Sequence, residues 1–257
     1  MKTLSIVIPV YNESKRIGKI LKALEKGFDL HGLKLEKIIF VDDGSSDSIK
    51  EKIQKANLKK SLKVPVEIIF YQSNRGRGYA VKKGALRCSS DYVLYADADL
   101  SIPLKNLKNF IPLMEKNYDL LFASKKKPGA KQTINRGWLR NIVGYGHSII
   151  ASLILGVFAW DFQGGFKLFS KRFVQEVFPL LTVERWGFDM EVIFLARKLG
   201  YPMSELAVVW GHIENGSKVK LLRDILRSLK EMRQIKRSWL KKEYTAIDPI
   251  PYISFTS

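Results

Sequence analysis

The stretch Tyr92-Val93-Leu94-Tyr95-Ala96-Asp97-Ala98-Asp99-Leu100 decides how this chain is read. It opens as a short apolar run, β-branched and aromatic, which suits a buried strand. It ends in two carboxylates two residues apart, where a strand would leave its sheet. Hard divalent cations such as Mg²⁺ and Mn²⁺ take oxygen ligands and share a few carboxylates with a substrate's phosphates. Asp-x-Asp alone is a common pair, so its weight comes from what surrounds it.

Outward from this stretch the same pattern recurs. Leu4–Val10 is a near-continuous apolar run followed by Tyr11-Asn12-Glu13, Lys37–Val41 runs into Asp42-Asp43-Gly44-Ser45-Ser46, and Val66–Tyr71 precedes Asn74-Arg75-Gly76-Arg77. Helical spacing marks Lys15–Phe28, a segment from Asp47 to about residue 59 capped by Ser46 or Asp47, and Gly78–Ser89. Apolar strands separated by helices imply a parallel sheet covered on both faces. In such sheets ligands bind at the carboxyl ends of the strands. The acidic, amide and basic clusters all fall at those ends, which core strands alone would not require.

The second half is less regular. A helix is expected over Leu104–Glu115, a strand over Leu120–Ser124, a mobile basic loop over Lys125–Gly129, strands over Phe166–Phe169 and Ala207–Trp210, and a helix over Phe188–Leu199. Ser217–Lys242 reads as a long amphipathic helix with the apolar row Val219, Leu222, Ile225, Leu229, Met232, Ile235 and Trp239. Its basic face suits two arrangements: apolar side down on an anionic bilayer, or apolar side packed on the domain. Ile142–Trp160 is mostly apolar but broken by Gly144, Gly146, His147, Ser148 and Ser152. A span takes about 20 predominantly apolar residues, so a buried or interface-lying helix is expected instead.

The 257 residues are 46% hydrophobic and carry a formal net charge of +19. That charge points to an anionic partner: nucleic acid, a phosphorylated substrate or an acidic membrane surface. Nucleic acid is set aside, because the basic residues are not interleaved with aromatics in a recognisable module. The single cysteine, Cys88, excludes an intrachain disulfide and fits a reducing compartment; it reads as a small buried helix residue. Met1-Lys2-Thr3 leads into the first strand with no secretory pattern. His31, His147 and His212 lack metal-ligand spacing and read as structural.

Four strings in order, Ser5–Glu13, Val41–Asp47, Asn74–Gly78 and Ala96–Asp99, make the chain resemble the nucleotide-sugar domain of family 2 inverting glycosyltransferases. Asn135–Asn141, Asp161–Phe169 and Arg185–Glu191 are similar to its dolichyl-phosphate β-glucosyltransferase branch, with the mannosyltransferases close by. The resemblance covers roughly residues 3–220. That branch typically reads Asp-Thr-Gln-Cys-Gly-Phe-Lys-Leu-Phe where this chain has Phe162 and Gly164. Many relatives also carry a transmembrane anchor, which is not evident here. The resemblance implies a GT-A-like α/β fold over 1–216, divided into a nucleotide-sugar half (1–100) and an acceptor half (101–216), with 217–257 as a basic helix and tail.

The resemblance also implies roles. Pro9, Tyr11 and Glu13 would frame base and ribose, and Asp43 would accept from the base. Arg75 and Arg77 would face the diphosphate. Asp97 and Asp99 would hold Mg²⁺ or Mn²⁺, Asp99 directly. The donor would be a nucleotide sugar, UDP-glucose before GDP-mannose, and the acceptor a polyprenyl or dolichyl phosphate. A phosphomonoester is already largely ionised at neutral pH, so it needs cations more than a base; Lys125, Arg136 and Arg140 suit that need. Asp189 is the candidate base or acceptor-orienting group. Gln163 and Trp186 would line the sugar pocket, and Ser217-Lys218 would close over the diphosphate. A lipid acceptor implies peripheral attachment to an anionic membrane surface on its inner, cytoplasmic face. A carbohydrate hydroxyl acceptor is the alternative.

Overall fold

The computed structural model describes residues 1–56, 58–133, 138–211 and 221–244, without the side chains of 59, 138–141 and 221–224. The strands are β1 (Thr3–Val10), β2 (Lys34–Asp42), β3 (Val66–Phe70), β4 (Tyr92–Ala96), β5 (Leu120–Ser124), β6 (Lys131–Gln132), β7 (Phe166–Ser170), β8 (Met203–Ala207) and β9 (Val209–Trp210). The helices are α1 (Gly18–Glu25), α2 (Ile49–Lys55), α3 (Leu58–Leu62), α4 (Arg77–Ala85), α5 (Ile111–Glu115), α6 (Trp138–Leu155), α7 (Lys171–Val177), α8 (Phe188–Lys198) and α9 (Leu221–Leu240).

One sheet runs β3-β2-β1-β4-β7-β5-β8, and β6 pairs with β9 beside it. β1 is parallel to β2 and β4, and β2 to β3. β7 runs antiparallel to both β4 and β5. The inserted reversed strand has a direct consequence. The chain entering β7 arrives beside the carboxyl end of β4, where Ala96 faces Phe166.

Both faces of the sheet are covered, as apolar strands demand. Ile6, Ile8, Ile38 and Phe40 pack with α1, α2 and α5. Val7, Ile39 and Val41 pack on the opposite side with α4, α6, α7, α8 and α9. The expected mostly parallel sheet flanked by helices is therefore present.

Some elements differ from expectation. The helix expected over Leu104–Glu115 is a 3₁₀ segment, Leu104–Asn109, followed by α5. Pro112 sits in the first turn of α5, where its missing N–H costs nothing and a new helix starts readily. The basic loop after β5 is tied down, not mobile. Lys126 Nζ meets Asp161 at 3.2 Å and Ser148 Oγ at 2.9 Å, and Lys127 Nζ reaches the Glu205 carbonyl at 2.6 Å. Cys88 lies just past the end of α4, half-buried, with its thiol pushed up to about 11, chiefly by burial.

α9 corrects the bilayer reading of its apolar row. Met232 and Ile235 are fully buried in the core, Leu229 and Trp239 pack against it, and Trp239 meets Phe194 edge to face at 5.6 Å. Those four residues of the row are inside the protein, and Lys230, Arg233 and Arg237 point to water; Val219 and the side chain of Leu222 lie outside the described residues. Among the described residues no helix is long and apolar enough to cross a membrane.

Candidate active site

The loops at the carboxyl edge of the sheet are built by their own short polar side chains. Asp42 accepts from the Ser45 N–H at 2.9 Å, forming the turn after β2. Asn12 accepts from the Ser46 N–H and donates its own N–H to Ser45 Oγ, each at 2.9 Å, so the loops after β1 and β2 are locked together. Pro9 is half-buried at the end of β1 and Tyr11 lies exposed beyond it.

Asp43 is buried and occupied. Its two oxygens accept from the N–H groups of Arg75 and Gly76, both at 2.8 Å, and from the Asn74 amide at 2.7 Å. These bonds fold the loop after β3. Arg75 lies exposed on the same loop. It pairs with Glu184 and lies over the Tyr79 ring, 3.8 Å from the centroid.

Asp97 and Asp99 follow β4 and are half-buried. Asp97 Oδ1 accepts from the Tyr95 hydroxyl at 2.6 Å and lies 3.5 Å from Arg77 Nη1. Asp99 Oδ1 accepts from the Ser101 N–H at 2.8 Å. Glu13 is close enough for its pKa to be raised, first by burial and further by the Asp99 and Asp97 charges, while Arg16 opposes the rise. Hence three acidic groups share this edge, although no cluster of three or more His, Cys, Asp or Glu converges on a metal position among the described residues. Two partly exposed carboxylates fit a hard cation that shares its remaining positions with phosphates and water, so Asp97 and Asp99 suit Mg²⁺ or Mn²⁺.

The segment entering β7 backs this pair. The Asp97 N–H donates to the Gly165 carbonyl at 3.0 Å. A Cβ on Gly165 would fall 1.7 Å from Asp97 Oδ2, and one on Gly164 would fall 2.0 Å from the Ala123 carbonyl oxygen. The departure at Gly164 thus has a local reason, since the cysteine typical of the resembled branch has no room in this arrangement. Phe162, the other departure, is fully buried in the core.

Beneath lies a buried ion-pair chain. Lys167 points inward from β7 with no exposure. Its ammonium donates to the carbonyls of Phe162 and Gly164, at 3.2 and 2.7 Å, and to Asp189 at 2.6 Å, which uses all three protons. Asp189, at the start of α8 and also fully buried, accepts from Arg77 as well. Arg77 has the Trp186 ring 4.2 Å from its guanidinium. Burial works against the Arg77 charge, yet Asp189, Tyr95 and Asp97 outweigh it and raise its pKa. The chain Asp97–Arg77–Asp189–Lys167 joins the end of β4, the start of α4, the start of α8 and β7.

On the far side Lys125 donates to Ser101 Oγ at 3.0 Å and lies 5.4 Å from the Trp210 centroid. Asp161 is buried. Burial would raise its pKa, but Lys126 and Lys125 outweigh this and lower it. Half-buried Gln163 donates its N–H to Asp161 at 3.2 Å. Arg136, Ser217 and Lys218 lie outside the described residues, as does the side chain of Arg140. The structure therefore brings together Glu13, Arg77, Asp97, Asp99, Asp189 and Trp186. Sequence reasoning missed Lys167, Asp161 and Glu184. A lysine inside the apolar run Phe166–Ser170 was the one available signal, since a buried ammonium demands a partner, but a solvated edge lysine gives the same pattern.

The sheet order and the helices on both faces, with an acidic carboxyl edge, are those of a GT-A-like fold. The family model for glycosyl transferase family 2 matches residues 5–178. Dolichyl-phosphate beta-glucosyltransferases of Dictyostelium discoideum and Saccharomyces cerevisiae are each 32% identical, over 87% and 92% of this chain and 73% and 75% of their own. That of Homo sapiens is 30% identical over 85% of this chain and 70% of its own. Among solved structures, glucosyl-3-phosphoglycerate synthase from Mycobacterium tuberculosis in complex with UDP superposes with a TM-score of 0.64. It is 17% identical and covers 91% of this chain and 80% of its own. A mannosyltransferase from Pyrobaculum calidifontis in complex with GDP-Man and Mn²⁺ gives 0.61 at 16% identity, over 96% of this chain and 66% of its own. The chain belongs to glycosyltransferase family 2.

Proposed function

We propose that this chain transfers glucose from UDP-glucose to a polyprenyl or dolichyl phosphate, with inversion, in the presence of Mg²⁺ or Mn²⁺. The observation that carries the reading is the 30–32% identity to three dolichyl-phosphate beta-glucosyltransferases over most of their lengths. The site's chemistry supports it. Asp97 and Asp99 would hold the divalent ion. That ion would supply Lewis-acid neutralisation of the leaving diphosphate.

Asp189 bears on the acceptor. A hydroxyl acceptor needs a free general base. Asp189 is fully buried and held by both Arg77 and Lys167, which suits orienting Arg77 far better than taking a proton. A phosphate acceptor arrives already ionised and requires cations instead. Lys125, which donates to Ser101 Oγ, is proposed for that role, with Arg136 and Arg140 beside it from the resemblance. Trp186 and Gln163 are proposed to line the sugar.

The test incubates the purified protein with a polyprenyl phosphate, Mg²⁺ or Mn²⁺, and labelled UDP-glucose or GDP-mannose in parallel. Label should enter an organic-extractable lipid from UDP-glucose alone. Asp99→Ala should lower that rate by roughly a hundredfold or more, as expected on losing a group that stabilises charge in the transition state, and chelation should abolish it. Transfer from GDP-mannose would overturn the donor assignment. Donor hydrolysis without lipid product would move the acceptor to a carbohydrate.

A further inference from the structure

α6 has two unlike sides. Ser148, Ala151 and Leu155 face inward and are buried. Ile142, Ile149 and Leu153 are 58%, 61% and 77% exposed, and Tyr145 and Ile150 lie open beside them. Spacing by threes and fours places these residues along one stripe. Past the end of the helix, Phe158 is 69% exposed and meets Trp160 edge to face at 5.5 Å. A continuous apolar surface of this kind marks a place that something else covers.

The neighbouring charge says what covers it. α9 lies alongside α6, tied by the hydrogen bond between His147 Nε2 and Ser228 Oγ at 2.7 Å. Its outer face exposes Lys230, Arg233, Lys236 and Arg237. Apolar and aromatic side chains bordered by Lys and Arg suit the interfacial zone of an anionic bilayer. A second copy is disfavoured, because each chain brings the same net charge of +19.

We propose that the outer face of α6, continued by Phe158 and Trp160, docks this protein on an anionic lipid surface, with the outer face of α9 as its electrostatic border. Leu229, Met232, Ile235 and Trp239 of α9 stay in the core, and α6 is the element that enters lipid. This rests on the lipid-phosphate reading of the acceptor. Trp160 immediately precedes Asp161 and the Gln163–Gly165 segment that backs Asp97, so docking carries that segment toward the headgroups.

The experiment uses the full chain with vesicles of phosphatidylcholine, with and without phosphatidylglycerol, and scores co-sedimentation. Wild type should bind the anionic vesicles and not the neutral ones. The double variant Ile149→Glu, Leu153→Glu should lose about tenfold or more in binding, since two large apolar side chains leave the interface. Lys230→Glu with Arg233→Glu should weaken binding by a similar factor and reduce its salt dependence. All four positions are exposed, so thermal melting should be unchanged. Transfer to a water-soluble short-chain polyprenyl phosphate, run in parallel, should be kept by the α6 variant. Absence of that transfer in wild type, with vesicle binding still lost in the α6 variant, would sink the acceptor reading and leave the docking surface standing. Equal vesicle binding by wild type and the α6 variant would overturn the docking surface. So would failure of wild type to bind either vesicle. A dimer that the α6 variant converts to monomer, with vesicle binding unchanged, would assign the stripe to a second copy instead.

Discussion

Lys167 is the residue on which most of the site geometry turns. It sits in the middle of the sheet, holds two carbonyls of the loop before β7 and fixes one oxygen of Asp189, whose other oxygen holds Arg77. Breaking a buried pair by removing one partner typically costs about 3–5 kcal/mol, because a charge and its acceptors are left unpaired. Lys167→Met is expected to lower unfolding free energy by roughly that amount, measured by urea denaturation. A loss below about 1 kcal/mol would mean that Arg77 alone neutralises Asp189. The sequence showed this residue in plain view but not its depth. An apolar run with one lysine reads equally as an edge strand with its charge in water. Only the insertion of β7 between β4 and β5 decides between them. Asp43 and Arg75 show the same limit. Their residue types suited a ligand, and the pattern did not announce their protein partners, the Arg75 and Gly76 N–H groups for Asp43 and Glu184 for Arg75.

Among the elements, β4 and β5 were legible to the residue. Short apolar runs bounded by polar residues leave little choice of register. Helix ends were less legible. α1 begins at Gly18 and α4 ends at Ala85, inside the spans that apolar spacing suggested; the start of α1 has no side-chain cap to announce it, and the end of α4 is met by the Cys88 thiol on the Gly84 carbonyl. The packing of α9 was undecidable from its pattern, since a core and a bilayer both accept the same apolar row. His147, at the α6–α9 contact, gives that packing a measurable signature. Burial, joined by Lys126 and opposed by Asp161, lowers its pKa to about 4. The unfolded value is about 6.5. The folded state thus binds fewer protons between these values. The stabilising contribution is complete above pH of about 6.5 and is lost progressively as pH falls toward about 4. Discounted for the ring's partial exposure, it is on the order of 2 kcal/mol. Wild type and His147→Gln, melted side by side from pH 7.5 downward, should therefore converge in acid. A difference that stays flat with pH would place the ring in water.

At the scale of the whole molecule, the sequence reading divides the chain at residue 100 into two halves, and the candidate site draws on both. Glu13, Asp97 and Asp99 come from one side of that division, and Asp161, Lys167 and Asp189 from the other. The sheet does not follow it. β4 is covered on one flank by β1, from the same half, and on the other by β7, whose last residue is Ser170. This arrangement sets an order of events during synthesis. While the chain is shorter than about 170 residues, β4 is an unpaired apolar edge, open to pairing with any other nascent strand. Ribosome-stalled chains of increasing length should show it, with β4 becoming resistant to protease only after Ser170 has left the exit tunnel. Early resistance would mean that another segment shields β4 first. The reversed strand that brings the two halves of the site together is thus also the last piece to close the sheet's centre, so that a half-made enzyme is an aggregation hazard before it is a catalyst.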